Sequence, residues 1–175
     1  MVIGLSGKKQ VGKDTFGHYL EVRYGFQRIA FADYLKHIAT KLGWDGRKDE
    51  RGRRLLQDLG LVVRQYNERF WVEAAFRTMR RLQRKGYRDF VITDMRFINE
   101  VMMLKESGGI AVRVWSRNEL TDDPHPSETE LDGFLLWDYK IESVPGDFTG
   151  FYQQVDELIA RERNRGNAGH AGTGI

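Results

Sequence analysis

A chain of 175 residues with 41% hydrophobic and 30% charged side chains suits one packed domain and is short for two. No run of about 18 apolar residues is present to span a membrane, and the lack of cysteine excludes disulfide and thiolate chemistry. The net charge of +3, with arginine outnumbering lysine about two to one, leans toward phosphate oxygens, which planar guanidinium forks match, whether on small polyanions or nucleic acid.

The first element, "VIGLS" at residues 2–6, is a short apolar run that reads as a buried strand ending in a glycine-rich turn. Phe16, Tyr19, Leu20 and Arg23 then recur at helical spacing, and Gly25 is a natural stop. "QRIAFA" is a second strand candidate. "DYLKHIATKLG" predicts a helix with Asp33 as its N-cap. Residues 44–53 form a charged connection. A periodic stretch from Leu55 to Tyr66 follows, interrupted by Gly60, and then a helix over residues 69–85 that buries Trp71, Ala75, Met79 and Leu82.

"DFVITD" is an inner strand closing on an acid, and residues 97–107 suit a helix that ends at Gly108 and Gly109. "IAVRVW" is another strand. Residues 116–134 are polar and loop-like, with a helical turn near 128–131. "DYKIES" is the last strand candidate, residues 148–163 a terminal helix, and the glycine-rich residues 164–175 are expected to be disordered. Strands alternating with helices predict one three-layer α/β domain, residues 1–163, around a parallel sheet. The N-terminus shows no secretory leader pattern, so cytoplasm is the expected location.

The chemistry concentrates in "GKKQVGKDT". Gly7 is followed by four residues and then Gly12 and Lys13, directly between a strand and a helix. Glycines let such a loop turn its amides inward as an anion nest, the helix N-terminus adds its dipole, and Lys13 reaches the outer phosphates. The phosphate-binding segment thus comprises Gly7, Lys8, Lys9, Gln10, Val11, Gly12, Lys13, Asp14 and Thr15. Asp14 stands where such loops commonly carry Ser or Thr on Mg²⁺. A carboxylate there needs a cation between itself and phosphate, so Asp14 is expected to bind Mg²⁺ directly or through water, with Thr15 on the inner phosphate. Asp94 is placed to hold the metal's water or orient an acceptor; its alternative is to cap the next helix. Arg96 follows as a phosphate clamp.

Together "GKKQVGKDT", "FADYLK", "RRLLQDLG", "FWV", "VITDMRFINE" and "HPSE" resemble the bacteriophage-type deoxynucleoside monophosphate kinases, a group of P-loop kinases that also uses "GKD" loops. The resemblance covers about residues 2–160. It implies transfer of the γ-phosphoryl group of ATP, with Mg²⁺, to a deoxynucleoside monophosphate, supplying precursors for phage DNA synthesis in the host cytoplasm. It implies a five-stranded parallel sheet in the order 2-3-1-4-5, a helical substrate-binding region at about 33–86 and a lid at about 116–134. Carried over by position, Phe31, Asp33 and Lys36 line the acceptor side. Gln57, Arg64 and Arg96 meet the monophosphate, with Trp71 packing behind. Lys13, Asp94, Arg96 and Arg117 act on the transferring group, and Asp14 and Asp94 on the metal. His125 and Glu128 match the pattern without an assigned role. No nucleic acid or membrane partner is expected, and homodimer formation stays open.

Two rivals differ in class. A GTPase would bring an "NKxD" signature, and none occurs. A DNA-binding module would rest on the arginines at 77–84. Within kinases the rival acceptors are phosphomevalonate and dephospho-coenzyme A.

Overall fold

The computed structural model describes residues 1–119 and 123–170, with side chains described through residue 166. In chain order the elements are β1 (Val2–Ser6), α1 (Lys13–Tyr24), β2 (Gln27–Ile29), α2 (Phe31–Lys41), α3 (Glu50–Tyr66) and α4 (Phe70–Gln83). They continue with β3 (Phe90–Met95), α5 (Ile98–Glu106), β4 (Ile110–Trp115), α6 (Pro126–Thr129), β5 (Tyr139–Glu142) and α7 (Phe148–His170). The strands form one sheet in the order β2-β3-β1-β4-β5, every neighbouring pair parallel, as the sequence pattern and family resemblance imply.

Alternation along each strand divides the core between the two faces of the sheet. Ile3, Leu5, Val91, Val112 and Val114 point to one side, where Phe16 and Leu20 of α1 and Phe151, Val155, Leu158 and Ile159 of α7 cover them. Phe90, Ile92 and Ala111 point to the other, under Trp71, Val72 and Ala75 of α4 and Val101 and Leu104 of α5. Burial on both faces explains why the inner strands read as continuous apolar runs. The turns after β1 and β3 meet at the carboxyl edge of the central strands, where Ser6 is registered with Met95.

Four local expectations are corrected. The second strand stops at Ile29, and α2 begins at Phe31 without Asp33 as its cap. The cap comes from β3: Asp94 Oδ1 accepts from the Phe31 amide and Oδ2 from the Ala32 amide, both at 2.9 Å. The charged connection ends earlier than residue 53, because Asp49 Oδ1 accepts from the Gly52 amide at 2.8 Å and starts α3 at Glu50. Gly60 does not interrupt α3, and its carbonyl accepts from Trp71 Nε1 at 3.0 Å. The terminal helix α7 continues over residues 164–170, where a disordered tail was expected; residues 171–175 lie outside the described residues. So do residues 120–122 of the expected lid.

Candidate active site

The loop between β1 and α1 has the backbone that its glycines foretell. Gly7 and Gly12 hold φ of 153° and 94°, and Gln10 also lies on the left-handed side at 63°. A Cβ on Gly7 would stand 2.2 Å from the Val114 carbonyl oxygen, so the loop can lie against β4 only with hydrogen there. Helix geometry leaves the first amides of α1 without intrahelical acceptors, and no side chain caps them. Lys13 folds back over the loop, donating to the carbonyls of Gly7 at 2.6 Å and Lys8 at 2.5 Å. Burial, then repulsion from Arg96, lowers its pKa from 10.5 to about 8, with Asp14 opposing.

The other two loop lysines pair with acids of the segment after β4. Lys8 is almost fully buried, 2.6 Å from Asp132 Oδ1, and donates to the Glu128 carbonyl at 2.5 Å. Lys9 pairs with Asp123 at 2.9 Å. Arg96, at the end of β3, forms an ion pair with Glu128 and donates to the Ser127 carbonyl at 3.2 Å. The "HPSE" turn is thereby drawn onto the loop by opposite charge. His125 caps α6, its Nδ1 accepting from the Ser127 amide at 3.2 Å. The space between this turn and the loop is about 10 Å³, enough for one water, and is lined by Ser6, Gly7, Arg96 and Arg113 among others.

A larger cleft of about 360 Å³ opens beyond β4 and β5, lined by Ser116, Arg117, Asn118, Glu142, Ser143, Val144 and Pro145. It adjoins the loop, since a Cβ on Gly12 would meet Ser143 Oγ at 3.2 Å. Arg117 is exposed and pairs with Glu142 at 3.0 Å. Arg113 is held instead by Glu119 at 3.2 Å.

On the opposite side the helices α2, α3 and α4 lie between β2 and β3 in the chain. Arg64 Nη2 donates to Glu100 Oε1 at 2.7 Å, and Nη1 donates to Asn99 Oδ1 at 3.1 Å. Its guanidinium lies 3.7 Å over the Phe97 ring. Glu100 is 2% exposed; burial pushes its pKa up to about 7, against the pull of Arg64 and then of the Arg96 amide. Burial also pushes Asp94 up, opposed by the amides of Ala32 and Phe31.

The fold brings Gly7 to Thr15, Asp94 and Arg96 together, and Arg64 reaches the same neighbourhood through Glu100. Phe31 is buried in the core under α4, not lining a cleft through its side chain. Asp33 pairs with Arg28 at 3.3 Å and Lys36 at 3.7 Å on the exposed side of α2. Gln57 is half-buried on α3. The partners Asp123, Asp132 and Glu100 and the cleft residues 143–145 were not foreseen. Of these, Glu100 alone carried a local signal, an acid at the third position of a helix.

Among the described residues no cluster of three or more His, Cys, Asp or Glu forms a metal cage. The Asp14 carboxylate is exposed at the mouth of the loop, engaged by no described side chain. An exposed carboxylate at that position fits a Mg²⁺ ion held by one or two carboxylates, water and substrate phosphates.

A glycine-rich loop between β1 and α1 of a parallel sheet in the order 2-3-1-4-5 is the fold of the P-loop kinases. No family model matches the chain. It is 32% identical, over 91% of its length and 96% of the relative's, to a protein of Acanthamoeba polyphaga mimivirus named "Putative deoxynucleotide monophosphate kinase". Two solved structures share the fold. One is a "putative kinase" from Chloroflexus aurantiacus (TM-score 0.55, 13% identity, 93% of this chain and 96% of that one). The other is the dephospho-CoA kinase from Campylobacter jejuni (TM-score 0.55, 14% identity, 95% and 98%). The chain belongs to the deoxynucleotide monophosphate kinase family.

Proposed function

We propose that the protein transfers the γ-phosphoryl group of ATP to a deoxynucleoside monophosphate, releasing ADP and the deoxynucleoside diphosphate for DNA synthesis. The observation that carries this reading is the Gly7-to-Thr15 loop in a chain 32% identical to its mimivirus relative. An oxygen of the acceptor phosphate attacks the γ-phosphorus, and the bond to the β,γ-bridging oxygen breaks. No strong general base is needed, because the acceptor oxygen is already anionic. Lys13 turns from its carbonyl partners to the phosphates, and Arg96 and Arg64 meet the acceptor phosphate, so positioning and charge cancellation do most of the work. Bound Mg²⁺ would neutralise the β- and γ-phosphates; Asp14 is the residue best placed to hold it, with Asp94 behind.

The cleft beside Gly12 suits the adenine of ATP, with apolar faces from Val144 and Pro145 and the Arg117 guanidinium as a lid over the ring. Arg117 on this reading contacts the base rather than the transferring group. The test is ADP release with each of the four common deoxynucleoside monophosphates, against ribonucleotide and dephospho-coenzyme A controls. Turnover is expected with at least one deoxynucleotide and exceeds that with the controls. Turnover with none of the nucleotides rejects the proposal.

A further inference from the structure

One buried carboxylate serves two arginines that come from different parts of the fold. Glu100 sits in the first turn of α5, and its Oε2 accepts from the backbone amides of Arg96 at 2.7 Å and Phe97 at 3.1 Å. These bonds hold the turn that leaves β3 and so set the direction from which the Arg96 side chain departs. Its other oxygen takes Nη2 of Arg64, a residue of α3, which otherwise packs on α2 and α4. The Phe97 ring, whose own amide Glu100 holds, supports the flat face of the Arg64 guanidinium. Arg64 Nε is buried without a hydrogen-bond partner among the described residues, so the protein does not use that donor.

We propose that Glu100 is a positioning residue for phosphoryl transfer: it fixes Arg64 of the helical insertion and the backbone of Arg96 to one point, so that both guanidiniums are presented to the acceptor phosphate as a set. This rests on the reading of Arg64 and Arg96 as acceptor ligands. A carboxylate that served only to fill the core would be replaceable by its amide without changing how the two substrates are treated relative to one another. A positioning carboxylate would not, because an amide offers one good acceptor where three donors converge.

The experiment is steady-state kinetics on the full chain with ATP and its best deoxynucleoside monophosphate, comparing R64A, E100Q and the double variant. R64A tests the underlying reading: acceptor KM rises about tenfold or more while ATP KM stays within about twofold. E100Q shows the same split, and in the R64A background it raises acceptor KM by a smaller factor than it does alone, because the share of its effect that runs through Arg64 is already lost while the share through Arg96 remains. An E100Q variant that leaves acceptor KM unchanged, or raises both KM values alike, while R64A keeps its split, overturns the role of Glu100 alone. An R64A variant that affects both substrates alike overturns the acceptor reading and this proposal with it. Should E100Q not fold, E100D, which keeps the charge but withdraws it by one methylene, must show the acceptor-selective rise; an unchanged acceptor KM in folded E100D overturns the proposal.

Discussion

The ammonium of Lys8 and the carboxylate of Asp132 stand 2.6 Å apart, one nearly buried and the other about half exposed. A lysine of the loop between β1 and α1 is thus committed to the segment that covers the loop. Lys9 with Asp123, and Arg96 with Glu128, repeat the arrangement. Removing the acid leaves a buried ammonium with the Glu128 carbonyl as its main partner. Asp132→Asn is expected to destabilise the protein by about 1–2 kcal/mol, less than a fully buried pair because Asp132 is half in water. The covering segment loosens, so proteolysis within residues 116–134 quickens and ATP hydrolysis without acceptor rises relative to transfer. Equal rates of nicking and hydrolysis in variant and parent would show that the pair does not hold the segment down.

Lys13 gives a pH signature. With a pKa near 8 in the ligand-free protein, its ammonium loses its proton as pH rises through 8, and ATP affinity falls over the same range. Stability moves the other way. The unfolded chain, with an ordinary lysine at 10.5, binds more protons than the native state between about pH 8 and 10.5, so the ligand-free fold gains stability across that window. Titration of ATP affinity from pH 7 to pH 9 checks the first point, and Lys13→Arg, which keeps its charge throughout, flattens the curve. Lys13→Met lowers kcat by roughly 10²–10³-fold, the scale of losing one preorganised charge.

Gly7→Ala tests the backbone of the loop. The added methyl meets the Val114 carbonyl at a distance no Cβ tolerates, and φ is in a region that alanine avoids. Loss of about 1–3 kcal/mol in urea unfolding is expected, together with loss of ATP binding. Retained ATP affinity would mean that the loop refits elsewhere.

Arg117→Ala separates base contact from catalysis. The side chain is exposed, so its pair with Glu142 contributes little to stability and melting stays near the parent value. Loss of a cation over the adenine face raises ATP KM about tenfold, with acceptor KM unchanged. A large fall in kcat at saturating ATP would move Arg117 to the transferring phosphoryl group instead.

The parts of this fold that were legible in sequence are those governed by local chemistry. Apolar strands buried on both faces, a loop with glycines at its two positive-φ ends and Gly25 after α1 all announce themselves within a few residues. The sheet order rested on the whole set of motifs rather than on any one strand. What escaped was set by partners distant in sequence. Lys8 and Lys9 read as phosphate ligands because Asp132 and Asp123 are more than a hundred positions away. Arg64 read as an open clamp, since nothing near it in sequence points to Glu100, 36 positions on. Asp33 read as a helix cap because aspartate before an amphipathic run usually is one, whereas the fold supplies the cap from another strand.

That borrowed cap also sets an order of assembly. Asp94 lies 63 residues after Phe31, so the N-terminus of α2 leaves the ribosome well before the residue that satisfies its amides has been made. Until β3 docks beside β1, the start of α2 has only water to bond. The insertion therefore takes its final form late, after a long loop has closed. A substitution at Asp94 would then slow maturation of the nascent chain as well as weaken the finished enzyme, and a screen that reads activity alone would score both defects as one.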